Sequence, residues 1–284
     1  LQIKEKISYL NQLNQALDEM SYSTFEVIGN SYHRLFSEDE KEELKLFISR
    51  EEKIADSLLS RLFSTLESSL SESEREASLR IIGNIDPEHF ETLCRLLFEQ
   101  SRFQEVYDLI NHKIEGISRT NDIQVTTIYL EAAHRLNLNM DKVANVAVKL
   151  CPMAPVLRRI RDLKGSTGKS CEEMVKESNP EELLSFYGEE GRLHDALSLV
   201  MEPDLFYDEV IFTFFKKNRK HFPVETEAFL KRRIETNLRN TGKVCYERIA
   251  ESLDLMKTIN PERSHLIAEE IRNNFKRRLN LINS

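Results

Sequence analysis

Glu181-Glu-Leu-Leu-Ser-Phe-Tyr-Gly-Glu-Glu-Gly-Arg-Leu-His-Asp-Ala-Leu-Ser-Leu-Val200 is the stretch whose reading decides the fold. It reads as two short helices joined by a tight turn at Gly188–Gly191. Before the turn stand Leu183, Leu184, Phe186 and Tyr187. After it Leu193, Ala196, Leu197 and Val200 follow the i, i+3, i+4, i+7 spacing of one apolar helical face. Helices this short cannot bury their apolar faces alone, so neighbours of the same kind must stack on them. The pattern predicts an all-α protein built as a right-handed α-solenoid of stacked antiparallel hairpins.

Working outward, the same pattern returns upstream. A shift of 90 residues lays Leu93 on Leu183, Arg102 on Arg192, Phe103 on Leu193, Val106 on Ala196 and Ile110 on Val200. A shift of 37 from there lays Phe103 on Met140 and Val106 on Val143, with Thr126–Arg135 and Met140–Leu150 as the two helices. The stretches "LLFEQSRFQEVYDLI" and "LSFYGEEGRLHDALSLV" thereby resemble the end of the first helix, the turn and the second helix of tetratricopeptide-like units. Such units recur at about 34–40 residues. The first half of the consensus is largely missing and the spacing is irregular, so the resemblance is to a repeat class. A non-repetitive helical domain with two similar hairpins remains the alternative.

The rest of the 284 residues fits a helical chain. Eight glycines, seven prolines and no tryptophan are few punctuators for strands linked by tight turns. Residues 1–70 read as N-terminal hairpins, opening with Ile3, Ile7, Leu10, Leu13 and Leu17 on one face. Ser37-Glu-Asp-Glu40 and Ser71-Glu-Ser-Glu74 are capping boxes, and the serine-rich break from Ser64 to Ser73 is the candidate hinge. Residues 71–204 carry the repeats, starting at Asp86-Pro87.

Between the second and third copies, Lys164-Gly-Ser-Thr-Gly-Lys-Ser170 invites a phosphate-loop reading and fails it. The motif would need glycine at position 163, where Leu163 stands, and a buried strand ahead, where Val156-Leu-Arg-Arg-Ile-Arg-Asp-Leu reads as a charged helix. A flexible surface loop is expected there. Residues 205–284 read as a C-terminal helical cap with basic character, with apolar positions that include Val244, Leu266 and Ile271. In this region "FFKKNRKHFP", "CYERIAESLDLMK" and "NNFKRRLNLI" resemble the helical tails of bacterial and archaeal proteins that carry a SWIM zinc module. The zinc motif itself, C-x-C followed by C-x-H, is absent, so no metal role carries over.

Charge is uneven. From Leu205 onward sixteen Lys and Arg face eleven Asp and Glu, a net of +5, while the residues before it carry −13 of the total −8. Such asymmetry can steer a charged partner or support head-to-tail self-contact. Lys216 and Lys217, Lys231, Arg232 and Arg233, and Lys276, Arg277 and Arg278 form the basic groups that an alternative nucleic-acid reading would use. The nearby Phe214, Phe215, Phe229 and Phe275 fit apolar helix faces better than stacking platforms.

No catalytic, cofactor or metal signature appears. The seven histidines form no ligand cluster, and His134 in "YLEAAHRL" is expected to pack. The four cysteines lack metal or disulfide spacing, which suits an intracellular, cytoplasmic or nuclear protein with thiols in its core. No apolar run approaches the ~18–20 residues of a membrane span. The first residues are not a secretory signal, and the absence of an initiating Met suggests a piece of a longer protein. The expectation is therefore a non-enzymatic scaffold that takes a protein or peptide partner, with no cofactor, membrane or small-molecule substrate. Its candidate contacts are Arg95, Arg102, Tyr129, Arg135, Tyr187 and Arg192. The alternatives are the nucleic-acid module above and a helical regulatory domain of a larger enzyme.

Overall fold

A computed structural model describes residues 5–10, 12, 36–37, 40–42, 44–45, 62–63, 66, 70–83, 87–114 and 122–274. Among these the protein is all-α, with no strand. Most of the expected N-terminal hairpins and the last basic group, Lys276, Arg277 and Arg278, lie outside the described residues. The chain divides into two compact units, 1–186 and 187–284.

In the first unit residues 5–10 and 40–42 are helical, and from Glu72 onward follow α1 (Glu72–Ile82), α2 (Pro87–Glu99), α3 (Phe103–Ile114), α4 (Ile123–Arg135), α5 (Met140–Leu150), α6 (Ala154–Lys164) and α7 (Lys169–Ser178). The next helix, α8 (Pro180–Glu189), spans the division between the units. Both capping boxes form as read. Ser37 N–H donates to Glu40 at 2.8 Å and Glu40 N–H to Ser37 Oγ at 3.4 Å, and Ser71 and Glu74 make the same reciprocal pair at the head of α1. Each satisfies amide groups that a helix start leaves open, worth about 1 kcal/mol per cap.

Packing in this unit follows a ladder. Each helix from α1 to α5 packs on the next, and α2 also meets α4, α4 meets α6, and α5 meets α7. Four turns share one device, a residue in the left-handed conformation after the first helix of a pair: Ser101 (φ 61°), Asn137 (φ 55°), Gly165 (φ 84°) and Gly191 (φ 69°). At three of them the following amide reaches back five residues: Arg102 to Leu97 at 3.0 Å, Leu138 to Ala133 at 3.0 Å and Arg192 to Tyr187 at 2.9 Å. This is the Schellman closure, which satisfies carbonyls at the helix end. Eight positions before the left-handed residue stand Leu93, Tyr129, Leu157 and Leu183, all buried to within 1%.

A surface loop is found at residues 165–168, where Gly165 and Ser166 are exposed, but it is short: it joins two further helices, α6, which packs on α4 and α5, and α7, which packs on α5. Thr167 is buried there and donates to Glu172, and Lys164 pairs with Asp141 of α5. No strand precedes the turn, so the phosphate-loop pattern fails structurally as well.

The second unit holds α9 (Leu193–Val200), α10 (Asp208–Asn218), α11 (Pro223–Leu238), α12 (Lys243–Lys257) and α13 (Pro261–Asn274). From α10 to α13 each helix packs on the next. Phe214, Phe215, Phe222 and Phe229 are buried, with Phe215 stacked on Phe229 at 5.0 Å and Phe214 on Phe222 at 6.2 Å. Leu266 and Val244, expected on apolar faces, are instead more than half exposed.

Candidate interaction surface

The first helices of successive pairs, α2, α4 and α6, pack side by side and share a register. Six positions before the left-handed residue they carry Arg95, Glu131 and Arg159. Arg159 of α6 donates to Glu131 of α4 at 2.5 Å, and Arg95 pairs with Glu91 one turn back on its own helix. Arg135 is exposed at the C-terminal end of α4. Together these make a row of alternating charge across three helices. Such a row can hold a polar or charged chain by ion pairs and hydrogen bonds.

The other candidate residues have structural partners. Arg102 sits in the turn after α2, where its guanidinium meets Glu105 at 2.6 Å and Glu76 of α1 at 2.7 Å, while Arg80 bonds to the same two carboxylates. The Arg102 and Arg80 donors hold Glu76 below its ordinary carboxylate pKa. Glu105 also ends below the usual value, because the same two arginines outweigh its partial burial. Tyr129 is buried in α4; it stacks on Tyr107 at 5.1 Å, and its hydroxyl donates to Asn111 Oδ1 at 3.1 Å. Burial, with Tyr107 beside it, pushes its pKa up.

In the second unit Arg192 lies over the ring of the buried Tyr187, 4.4 Å from its centroid, and pairs with Asp195 at 2.6 Å. Arg102–Glu105 and Arg192–Asp195 are thus the same pair in two copies of one turn. His134, expected to pack, is exposed.

The basic groups separate sharply. Lys216, Lys217, Lys231 and Arg232 are exposed. Arg233 does not belong with them: its side chain is fully buried, and every nitrogen is engaged. Nε donates to Asp208 at 2.6 Å, Nη2 to Glu209 at 3.1 Å, and Nη1 to Ser252 Oγ and the Arg248 carbonyl, both at 3.0 Å. Its guanidinium also lies 4.2 Å from the Phe212 ring centroid. A phosphate cannot reach it without dismantling the α10–α11–α12 core. Sequence reasoning missed this because KRR reads as one solvated run; only the acidic start of α10, Asp208-Glu209, hinted at a partner.

Against known protein families, curated proteins and solved structures the chain shows no match. Among the described residues no group of three or more His, Cys, Asp or Glu gathers where a metal ion could be held, and no helix is long and apolar enough to cross a membrane. Cys94, Cys151, Cys171 and Cys245 are all free thiols, the first three buried.

Proposed function

We propose that the protein is a non-enzymatic scaffold, a right-handed tetratricopeptide-like solenoid that holds a partner protein or peptide along the surface of its first helices. The observation that carries this is the shared register of α2, α4 and α6, which pack directly on one another and present Arg95, Glu131 and Arg159 in one row. A repeated surface of this kind matches an extended chain better than a compact small molecule. An intracellular setting accompanies the reading, supported by four cysteines that stay unpaired.

Affinity purification tests it. The chain is used as bait beside an Arg95→Glu, Arg135→Glu double variant, and both are checked for equal helicity by circular dichroism. The wild type should retain a protein that the double variant loses. Recovery of the same proteins by both baits would overturn the assignment of this surface.

A further inference from the structure

The corner between α10 and α11 is a charged surface of the second unit. Over Lys216-Lys-Asn-Arg-Lys-His-Phe-Pro-Val224 the chain carries four Lys and Arg and no acid. Lys216, Lys217, Lys220 and His221 are exposed, with the exposed Pro223 and Val224 beside them; Val224 stands 76% open to solvent. Among the described residues no carboxylate pairs with Lys216, Lys217 or Lys220, whereas Lys231 faces Glu235 and Lys243 faces Glu247 one turn away.

The corner is held in shape from below. Asn218 is buried and donates to the Phe214 carbonyl at 3.0 Å, and its own carbonyl accepts from His221 N–H at 2.9 Å and Phe222 N–H at 3.1 Å. Phe222 is buried, stacked on Phe214 and met edge-on by His194 at 5.4 Å. The lysines therefore stand on an ordered turn, and among the described residues their like charges are concentrated without a paired carboxylate. The repulsion within such a cluster is relieved by an anionic partner.

We infer that this corner docks an acidic segment of a partner protein. Two features favour a peptide over nucleic acid. The corner's phenylalanine, Phe222, and the neighbouring Phe214 and Phe215 are buried, which leaves the His221 imidazole as the one exposed aromatic ring of the 216–224 stretch, short of the row of aromatic platforms on which successive bases stack. Val224 and Pro223 add an aliphatic contact, which suits a peptide carrying both acidic and apolar side chains.

The test is selection from a random-peptide display library on the intact chain, repeated with a Lys216→Glu, Lys217→Glu, Lys220→Glu triple variant. All three positions are exposed, so the variant should fold, which its circular dichroism would verify. The expected result is enrichment of acidic sequences by the wild type. Synthetic peptides from the enriched pool should then bind about tenfold or more weakly to the triple variant, and more weakly to the wild type as salt rises, since exposed charges are screened over about 8 Å at physiological ionic strength. The Arg95→Glu, Arg135→Glu variant should leave this binding unchanged, which separates it from the scaffold surface. The inference is overturned if no acidic bias emerges, or if the triple variant retains the binding. It is also overturned if an RNA oligonucleotide displaces the peptides and binds more tightly, or if the lysines serve only a salt-sensitive self-association seen by sedimentation.

Discussion

Arg233 Nη1 donates to Ser252 Oγ across 3.0 Å inside the C-terminal unit, joining the middle of α11 to α12 through a side chain with no exposed surface. The same guanidinium ties the first turn of α10 through Asp208 and Glu209. One planar fork on α11 thus satisfies groups on two other helices, α10 and α12, a geometry that a lysine ammonium cannot reproduce.

Replacing Arg233 with Ala should therefore cost stability. Removing one member of a buried charge network typically costs about 3–5 kcal/mol, and the low end applies because Asp208, Glu209 and Glu251 can turn to water. Arg233→Lys should recover only a minor part. Urea denaturation followed by circular dichroism measures both, and an unchanged midpoint for the alanine variant would refute the hub.

The left-handed turns give a pair of opposite effects. Gly191→Ala places a side chain at φ 69° with no atom nearby to clash, so strain alone costs about 1 kcal/mol. Ser101→Gly removes that strain at φ 61° and should stabilise by a few tenths to about 1 kcal/mol. Thermal melts of the two single variants should shift in opposite directions.

Acid should loosen the α1–α3 network. Glu76 has a folded pKa below its ordinary value of 4.5, held there by Arg102 and Arg80. Its contribution is thus fully present above the unfolded value and lost as pH falls through the depressed folded one. Glu76→Gln should be less stable than wild type at neutral pH and converge on it in acid. A constant difference across the titration would show that the arginines do not set this carboxylate.

Thiol chemistry should sort the cysteines. Burial pushes Cys94 up to about 12 and Cys151 up to about 11, which leaves almost no thiolate at neutral pH. Cys171 is buried and shifted upward as well, whereas Cys245 is only half-buried. Brief alkylation of the native protein, read by peptide mass spectrometry, should label Cys245 first, and the other three should become reactive only in denaturant.

Much of this architecture is written locally. Capping boxes at Ser37 and Ser71, the proline starts at 87, 180, 223 and 261, and the apolar spacing around the 183–200 hairpin all depend on residues three or four apart. So does the Gly191 turn, because glycine takes a left-handed backbone without steric cost. From these the amino-acid sequence by itself determined a helical protein, and it set Arg102 and Arg192 at matching positions, but their acidic partners Glu105 and Asp195 came only with the structure. Other features came from partners far along the chain. Ser101 and Asn137 adopt the conformation usually left to glycine, so their turns were not announced by composition, and α7 was hidden behind a glycine-serine stretch. Arg233 could be told from Arg232 only once helix packing brought Asp208 and Ser252 to it. Periodicity says which way a side chain points on its own helix, but burial, pairing and exposure are decided by which other helix arrives at that face.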